Sequence, residues 1–529
     1  MSQPVRTWID LSILPLYLAG TILIGWLARR KGASANAYLS ATRSLPLPIV
    51  VASYISVNCG ALDIMGLSAM GAQYGVDAFH FYWLGAIPAM IFLALWMMPV
   101  YRASGIRSVP QYLEQRYGPG VRVLNACSLA TIMLLLAGIS LYAMGQLLAV
   151  AFGWSFAVSV ALAAAVVVLY TQLGGIRATI YNEVFQLGVM LAGLIPLALR
   201  SVRLTHLLSM PHAASRDHLW AQLPAASLHS RLDGVGVILG LGFILSLGYW
   251  CTDFVMMQRA FTARTDSDAR QVPLWAGFGK MFFSLLVVLP GLAAYHLLPQ
   301  LGHQERFDQT MPALMKLLYG PGLLGLGLTT LAASLLSCLA SNVSAFAAVW
   351  TEDIYRAHLH RNASETHYLR MGRAALLTAI VLAALASWVN FCFSNLMEHV
   401  QLIFSVLGAP FWAIFLLGMS WRKATARAAV AGFLSGAALA LLHLLAVTQG
   451  WLHYGSMMNA NFHVAIYAFI TTVLVAVAHS IIAPQDGPQA PQTLVFRWQA
   501  AFRGPGVRRL WILALLLLTA CLLLNLWWW

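Results

Sequence analysis

SYISVNCGALDIMGLSAMG, residues 53–71, is the stretch on which the reading of this chain turns. It lies inside an otherwise apolar run, 46–74, long enough to cross a bilayer, which takes about 20 residues. Yet Asn58, Gly60, Asp63 and Gly66 interrupt it. An ionised carboxylate at the bilayer centre costs about 2.5–3.5 kcal/mol on insertion scales, and glycine weakens a helix. Backbone freed by such a break survives in lipid only where it lines a cavity or holds an ion. A discontinuous helix near the midplane is the usual ion or solute site of secondary transporters. The competing reading is a glycine-rich packing helix with Asp63 tied to a neighbouring hydroxyl.

The rest of the chain supports a membrane setting. Of its 529 residues 60% are hydrophobic and only 9% charged, against about 25% charged in soluble domains. The fold class is an all-α polytopic membrane protein. About fourteen apolar runs reach spanning length: 8–28, 46–74, 79–100, 123–151, 154–173, 178–200, 234–258, 274–297, 322–350, 373–392, 398–420, 425–447, 461–483 and 510–529. With the N-terminus outside, most of the 31 Lys and Arg fall on inward-facing connections, as the positive-inside rule asks. Both termini then face out, and the location is the cell (inner) membrane. The net charge of +14 is loop charge in short clusters, so nucleic acid is excluded as a partner. The six cysteines all sit in apolar runs with no metal or redox spacing, as small buried hydrophobes. VPQYLEQRYG (109–118) is a short amphipathic piece at the inner interface, and APQDGPQAPQ (483–492) opens a Pro/Gln-rich linker.

Other runs carry polar residues of their own. In the ninth, Ser334, Ser337, Ser341 and Ser344 recur at spacings of three and four, which places them on one helix face. A hydroxyl face suits a hard monovalent cation; small residues for close helix packing are the alternative. In the seventh, Ser246, Tyr249, Trp250 and Asp253 combine stacking surface with hydrogen-bonding groups, which suits a polar organic solute. Lys280 lies in the eighth run, Gln401 in the eleventh, and Glu183 near the inner end of the sixth. Lys280 either snorkels or pairs with a carboxylate. His80 and His443 stand alone, which disfavours haem or metal ligation, and no nucleotide loop or nucleophile motif is present.

Together these segments resemble the sodium:solute symporter family, most closely its sodium/glucose cotransporter branch. GIRSVPQYLEQRYG (105–118) is similar to the family's basic loop and Pro-x-Tyr-Leu segment. YTQLGGIRATIYNEVFQ (170–186) resembles its signature after the fifth span. YWCTD (249–253), GFGK (277–280), VLPG (288–291), the Ser-rich run ending in DIYR (353–356) and VQLIFSVLGAP (400–410) follow in the family's order. The resemblance covers roughly residues 8–450.

The resemblance implies a leucine-transporter-type fold of two inverted five-helix repeats, with the first helix of each repeat broken. The repeats would be 46–200 and 234–420. They would be flanked by an extra helix and cytoplasmic loop at 1–45, an external loop at 201–233, additional helices at 421–483, a cytoplasmic linker at 484–509 and a last helix at 510–529. It further implies a sodium site built from the backbone carbonyls of Ser56 and Cys59 with Ser334, Ser337 and Cys338, where Cys338 stands in place of the family's Ser or Thr. The solute site would use Asn58, Asp63, Ser246, Tyr249, Trp250, Lys280 and Gln401. Sugar-binding members carry His or Gln at the position of Asp63 and Glu at that of Tyr82, so the acidic group has moved between spans. Glu183 stands where the family has Asp; Glu183, Asp253 and Tyr82 are assigned to coupling and gating.

The expected function is symport: inward sodium flow drives uptake of a small polar, sugar-like solute by alternating access. No cofactor beyond the coupling ion is implied, and the bilayer is the only other partner. A proton could replace sodium through Asp63 or Glu183, and a transporter-like sensor without turnover is the reading from another class. No catalytic cluster suggests an enzyme.

Overall fold

The computed structural model describes residues 8–28, 45–106, 109–171, 176–205, 218–220, 232–483, 494–496, 498–502 and 506–528. Most of the external loop 201–233, nearly all of APQDGPQAPQ, the loop 29–44 and the middle of the 170–186 signature lie outside the described residues.

Among the described residues every regular element is helical. We label them α1 (Trp8–Ala28), α2 (Leu47–Asn58), α3 (Ala61–Tyr74), α4 (Phe81–Ala103), α5 (Val109–Tyr117), α6 (Pro119–Phe152), α7 (Phe156–Thr171), α8 (Ile176–Thr205) and α9 (Gly236–Thr252). The second half holds α10 (Phe254–Ala260), α11 (Asp266–Leu297), α12 (Thr310–Leu318), α13 (Leu323–Leu359), α14 (Glu365–Cys392), α15 (Leu396–Ser420), α16 (Ala426–Thr448), α17 (Met457–Ile482) and α18 (Val507–Trp527).

Ten of these helices are long and apolar enough to cross a membrane, and the count reaches twelve when two bent pairs are each taken as one span. The expectation of fourteen lies two above that count, which is taken over the described residues alone. The difference lies at the first and fifth runs, where the apolar helical stretches, Trp8–Ile24 and Phe156–Val168, are shorter. The bent pairs are α2 with α3, at 53°, and α9 with α10, at 54°. The interruption in residues 53–71 is thus a real break. α2 stops at Cys59 and α3 restarts after Gly60, which is extended (φ −66°, ψ 178°) and offers no side chain to cap the new helix.

Small residues set how closely the helices approach the break. A Cβ on Gly71 would lie 2.9 Å from the Val288 carbonyl, and one on Gly291 would collide with the Ser68 carbonyl. α3 and α11 therefore cross backbone to backbone, and this crossing aims Lys280 at the start of α3. On the other side α1 docks through Asp10, whose Oδ1 accepts from the amides of Gly322 (2.8 Å) and Gly325 (2.7 Å) at the start of α13. Those amides are among the unpaired donors of a helix N-terminus.

The amphipathic piece is the helix α5, as expected from its sequence. Arg116 on it donates to the carbonyls of Gly418 and Trp421 at the end of α15, both at 2.8 Å. The described part of the linker lies against the same end: Tyr112 donates to the Leu494 carbonyl and the Phe496 amide to the Met419 carbonyl. α18 then packs on α11, with Leu517 over Gly277.

Candidate functional site

Asp63 sits in the first turn of α3, where the helix dipole favours a negative charge. Lys280, midway along α11, places Nζ 2.5 Å from Asp63 Oδ2. Tyr82 of α4 donates its hydroxyl to the same oxygen at 2.9 Å. The ammonium also lies 4.6 Å from the Tyr82 ring centre and 5.8 Å from that of Trp250, so aromatic faces add to its stabilisation. The Lys280 side chain is 3% exposed and that of Asp63 16%. Burying two charges is tolerable only when they are paired, and here each neutralises the other. The carboxylate sits on α3, as its sequence position implied, and the Tyr82 hydroxyl turns toward it from α4.

Beside this pair stands an aromatic wall. Asn58, the last residue of α2, donates from Nδ2 to the Tyr249 hydroxyl at 2.9 Å. The Tyr249 ring meets Trp250 and Phe404 edge-on, each at 5.4 Å between centres. Trp250 stacks on Tyr54 at 6.1 Å. Ser246, one turn earlier on α9, packs its hydroxyl on Gly85, where a Cβ would come within 2.5 Å. Gln401 is buried but turns its amide to Met397 Sδ at 3.6 Å, and Met397 lies against Gly66. No hydrogen bond joins Gln401 to Asp63 or Lys280 among the described residues.

At the break itself, Cys59 and Ser56 are buried on α2 and Ser334 is buried on α13. Ser337 and Cys338 are half-buried. Cys338 Sγ lies 3.7 Å from where a Gly60 Cβ would be, so α13 backs directly onto the break. Its sulfur is the partner of Ser140 Oγ and of Asn342 Nδ2, both at 3.5 Å. Among the buried oxygens of α2 and α13 without a hydrogen-bond partner, Ser56 Oγ, Asn58 Oδ1 and Ser334 Oγ lie around the break. Each such orphan costs about 1–3 kcal/mol, a cost that a bound cation with oxygen preference would offset.

The serine face of α13 is shorter than expected. Ser334 is buried and Ser337 and Ser341 are half-buried, but Ser344 is exposed. At about 100° per residue, the ten steps from Ser334 to Ser344 rotate the side chain by roughly 80° off the starting face.

Toward the basic face, Glu183 of α8 pairs with Arg259 of α10 at 2.6 Å and accepts from Ser53 of α2. Both members of the ion pair are nearly inaccessible, at 1% and 4%. Through Ser53 the pair ties the first half of one broken helix, α2, and the neighbouring α8 to the second half of the other, α10. Sequence reasoning left out Ser53 and Arg259. An acidic residue inside an apolar run calls for a counter-charge, and Arg259 follows the YWCTD segment closely in the chain. Asp253 proves to be a helix cap: it is extended, with its carboxylate accepting from the Met256 amide at 2.8 Å at the start of α10. Among the histidines, His80 reaches the Leu219 carbonyl and His443 the Tyr454 hydroxyl. His463, in the thirteenth run, pairs with Asp233 at 2.7 Å, so the buried histidines extend beyond the two singled out.

Comparison with known proteins gives the family and the fold. The family model "Sodium:solute symporter family" matches residues 38–436. The chain is 26% identical to a sodium/glucose cotransporter of Vibrio parahaemolyticus, with 82% of this chain and 85% of that one aligned. It is 25% identical to a sodium/myo-inositol cotransporter of Canis lupus familiaris, over 92% of this chain and 75% of that one. In structure it is similar to a Na+-coupled sialic acid symporter solved in a substrate-bound outward-open state, with a TM-score of 0.75 and 17% identity over 90% of this chain and 98% of that one. A nucleobase-cation-symport-1 family transporter gives a TM-score of 0.50 at 14% identity, over 86% of this chain and 96% of that one. The chain belongs to the sodium:solute symporter family.

Proposed function

From membership of that family, we propose that the protein couples inward sodium flow to uptake of a small, polar, sugar-like solute by alternating access. The observation that carries the reading is the uncapped break between α2 and α3. Ser56 Oγ, Asn58 Oδ1 and Ser334 Oγ are unpartnered beside it, and the Asp63–Lys280 pair, a half-buried carboxylate on a buried ammonium, opens the second half-helix. The names of the sugar and inositol cotransporters at about a quarter identity support the solute class.

In this reading sodium binds between the Ser56 and Cys59 carbonyls on α2 and Ser334, Ser337 and Cys338 on α13. The ion ties two elements that otherwise leave oxygens unpaired, and so fixes where α3 begins. That fixes Asp63. A hydroxyl-rich solute then takes hydrogen bonds from Lys280 Nζ, which has donors beyond the one given to Asp63, and from Asn58. It stacks on Tyr249 and Trp250, with Tyr82, Ser246 and Gln401 bounding the pocket. Because the ion orders the solute site, the solute must tighten the ion by the same factor. Glu183 and Arg259 act as a latch near the basic face, and Asp253 shapes the second break.

The finer architecture belongs to the same proposal. The short apolar helices at the first and fifth runs also cross, giving fourteen spans. Residues 46–200 and 234–420 form the inverted repeats, both termini lie outside, and the protein resides in the cell membrane.

One observation favours a second reading, in which a proton drives the cycle. Cys338 puts a soft sulfur where the family has a hydroxyl, and hard cations prefer oxygen. A sodium titration of the purified protein separates the two. Intrinsic fluorescence of its 18 tryptophans is followed with choline replacing sodium at constant ionic strength. A saturable, sodium-specific change is expected; a flat response from folded protein, with a response to acid instead, would overturn sodium coupling.

A further inference from the structure

We propose that Asn461 of α17 is a positioning residue for the solute site: with Ser405 it grips α15 on both sides of Gln401 and sets how that side chain meets the solute. This inference rests on the transport reading above, which puts Gln401 at the pocket.

α17 lies outside both proposed repeats, yet its first turns carry Asn459, Asn461 and His463. At about 100° per residue, Asn459 and His463 share a face, and Asn461 stands about 200° round the helix from Asn459. Each face holds a different neighbour. Asn459 Nδ2 and His463 Nε2 meet Asp233 Oδ2 at 3.0 and 2.7 Å. Asp233 Oδ1 in turn accepts from the Gly236 amide at the start of α9, at 2.6 Å. A Cβ on Gly240 would lie 2.6 Å from the Phe462 carbonyl, so α9 and α17 touch backbone to backbone. α17 is thus fixed to the helix that carries Ser246, Tyr249 and Trp250.

The opposite face grips α15. Asn461 Nδ2 donates to the Glu398 carbonyl at 2.8 Å. The Asn461 carbonyl accepts from Ser405 Oγ at 2.8 Å, and that hydroxyl shares its proton with the Gln401 carbonyl at 2.7 Å. The contacts bracket Gln401, about one turn to either side. α15 is irregular there: over Phe404–Gly408 its ladder shifts to a π turn, with the Ala409 amide reaching back to the Phe404 carbonyl, and such turns are where helices bend. Gln401 does little to hold itself, because its amide rests on the Met397 thioether, a weak acceptor. Its direction follows from the backbone beneath it.

Packing alone does not account for Asn461. It and Ser405 are fully buried, and Asn461 Oδ1 has no hydrogen-bond partner. Leaving that oxygen unpaired costs about 1–3 kcal/mol, which a leucine would avoid. What asparagine supplies here is the donor into α15.

Uptake by the full-length protein in liposomes, under an inward sodium gradient and with radiolabelled D-glucose, myo-inositol and D-glucosamine as probes, tests this. Asn461→Leu should raise KM for the carried probe about tenfold with the maximal rate within about twofold, the pattern of lost binding rather than lost turnover. Ser405→Ala should shift KM the same way, and Ser405→Thr, which keeps the hydroxyl, should restore it. Sodium affinity in the fluorescence titration should hold, because the ion's residues lie on α2 and α13. Unchanged KM in Asn461→Leu, or a fall in maximal rate alone, overturns the positioning role and keeps the transport reading if Gln401→Leu raises KM. Unchanged KM in Gln401→Leu removes that residue from the solute site and overturns this inference with it. Amide hydrogen exchange needs no solute: Asn461→Leu should speed exchange across 396–408 by about tenfold and leave α11 as in the wild type. Identical exchange overturns the grip whichever solute is carried. If no probe is carried, the sugar-like reading falls and exchange decides the grip.

Discussion

The two broken helices bend by almost the same angle, 53° for α2–α3 and 54° for α9–α10, and each has a carboxylate near its break. They satisfy their breaks in opposite ways. At α9–α10 the carboxylate is the solution: Asp253 accepts from the Met256 amide and caps the new helix. At α2–α3 nothing caps the restart at Gly60, and Ser56 and Asn58 keep unpaired oxygens beside it. Asp63 does not fold back onto its own backbone; it reaches across to Lys280 and Tyr82. One break is closed by its own chain, and the other is left for something that arrives. The same residue type does structural work in one place and is free for recognition in the other.

The comparison can be broken at Asp63 first. Asp63→Asn leaves Lys280 buried without a counter-charge, and removing one member of such a pair costs about 3–5 kcal/mol. Solute affinity should fall by roughly 100-fold or more while the protein stays folded by circular dichroism; undiminished uptake would mean that this break recognises nothing.

A third carboxylate sharpens the contrast. Asp308, in the connection between α11 and α13, accepts from the Leu396 amide at 2.7 Å and so caps α15 from outside. Burial pushes its pKa up from 3.8 to about 6, with the nearby Glu398 adding repulsion and Arg306 opposing it. The folded state thus holds this proton more tightly than the unfolded chain. Its contribution to stability should fall as pH rises from about 4 to about 6, and stay low above that. Asp308→Asn should flatten that slope in thermal melts, whereas a slope unchanged by the substitution would locate the titration elsewhere.

Cys338→Ser tests the open break from the α13 side. A hydroxyl in place of the thiol should tighten sodium by roughly tenfold, about 1.4 kcal/mol, in the fluorescence titration; weaker sodium binding would show that sulfur is not at the ion.

The smallest effect is expected at the closed break. Asp253→Ala should cost about 1 kcal/mol of stability through loss of the cap, and Asp253→Asn, which keeps an accepting oxygen, much less. If Asp253→Asn abolishes uptake while leaving the melting temperature unchanged, the carboxylate there couples as well as caps, and the two breaks are alike after all.

Much of this was legible in the residues. The apolar runs, the interruption at Asn58–Asp63, the amphipathic 109–117 helix and the family motifs all depend on local composition and spacing. Lys280 could be read as seeking a carboxylate, because an unpaired charge in a span is too costly to leave. What local sequence could not supply was partnership over long separation. Arg259 reads as a loop cation and Glu183 as a lone acid until packing brings α10 to α8.

The sequence by itself determined the solvent this protein folds in and where its helices must fail, because both follow from how many apolar residues run together and what interrupts them. The tertiary structure alone decided which broken helix is capped and which is open. That depends on whether a carboxylate finds its own backbone or a lysine from another helix, and the distance between those choices is set by the close crossing at Gly71 and Gly291, a contact between residues far apart in the chain.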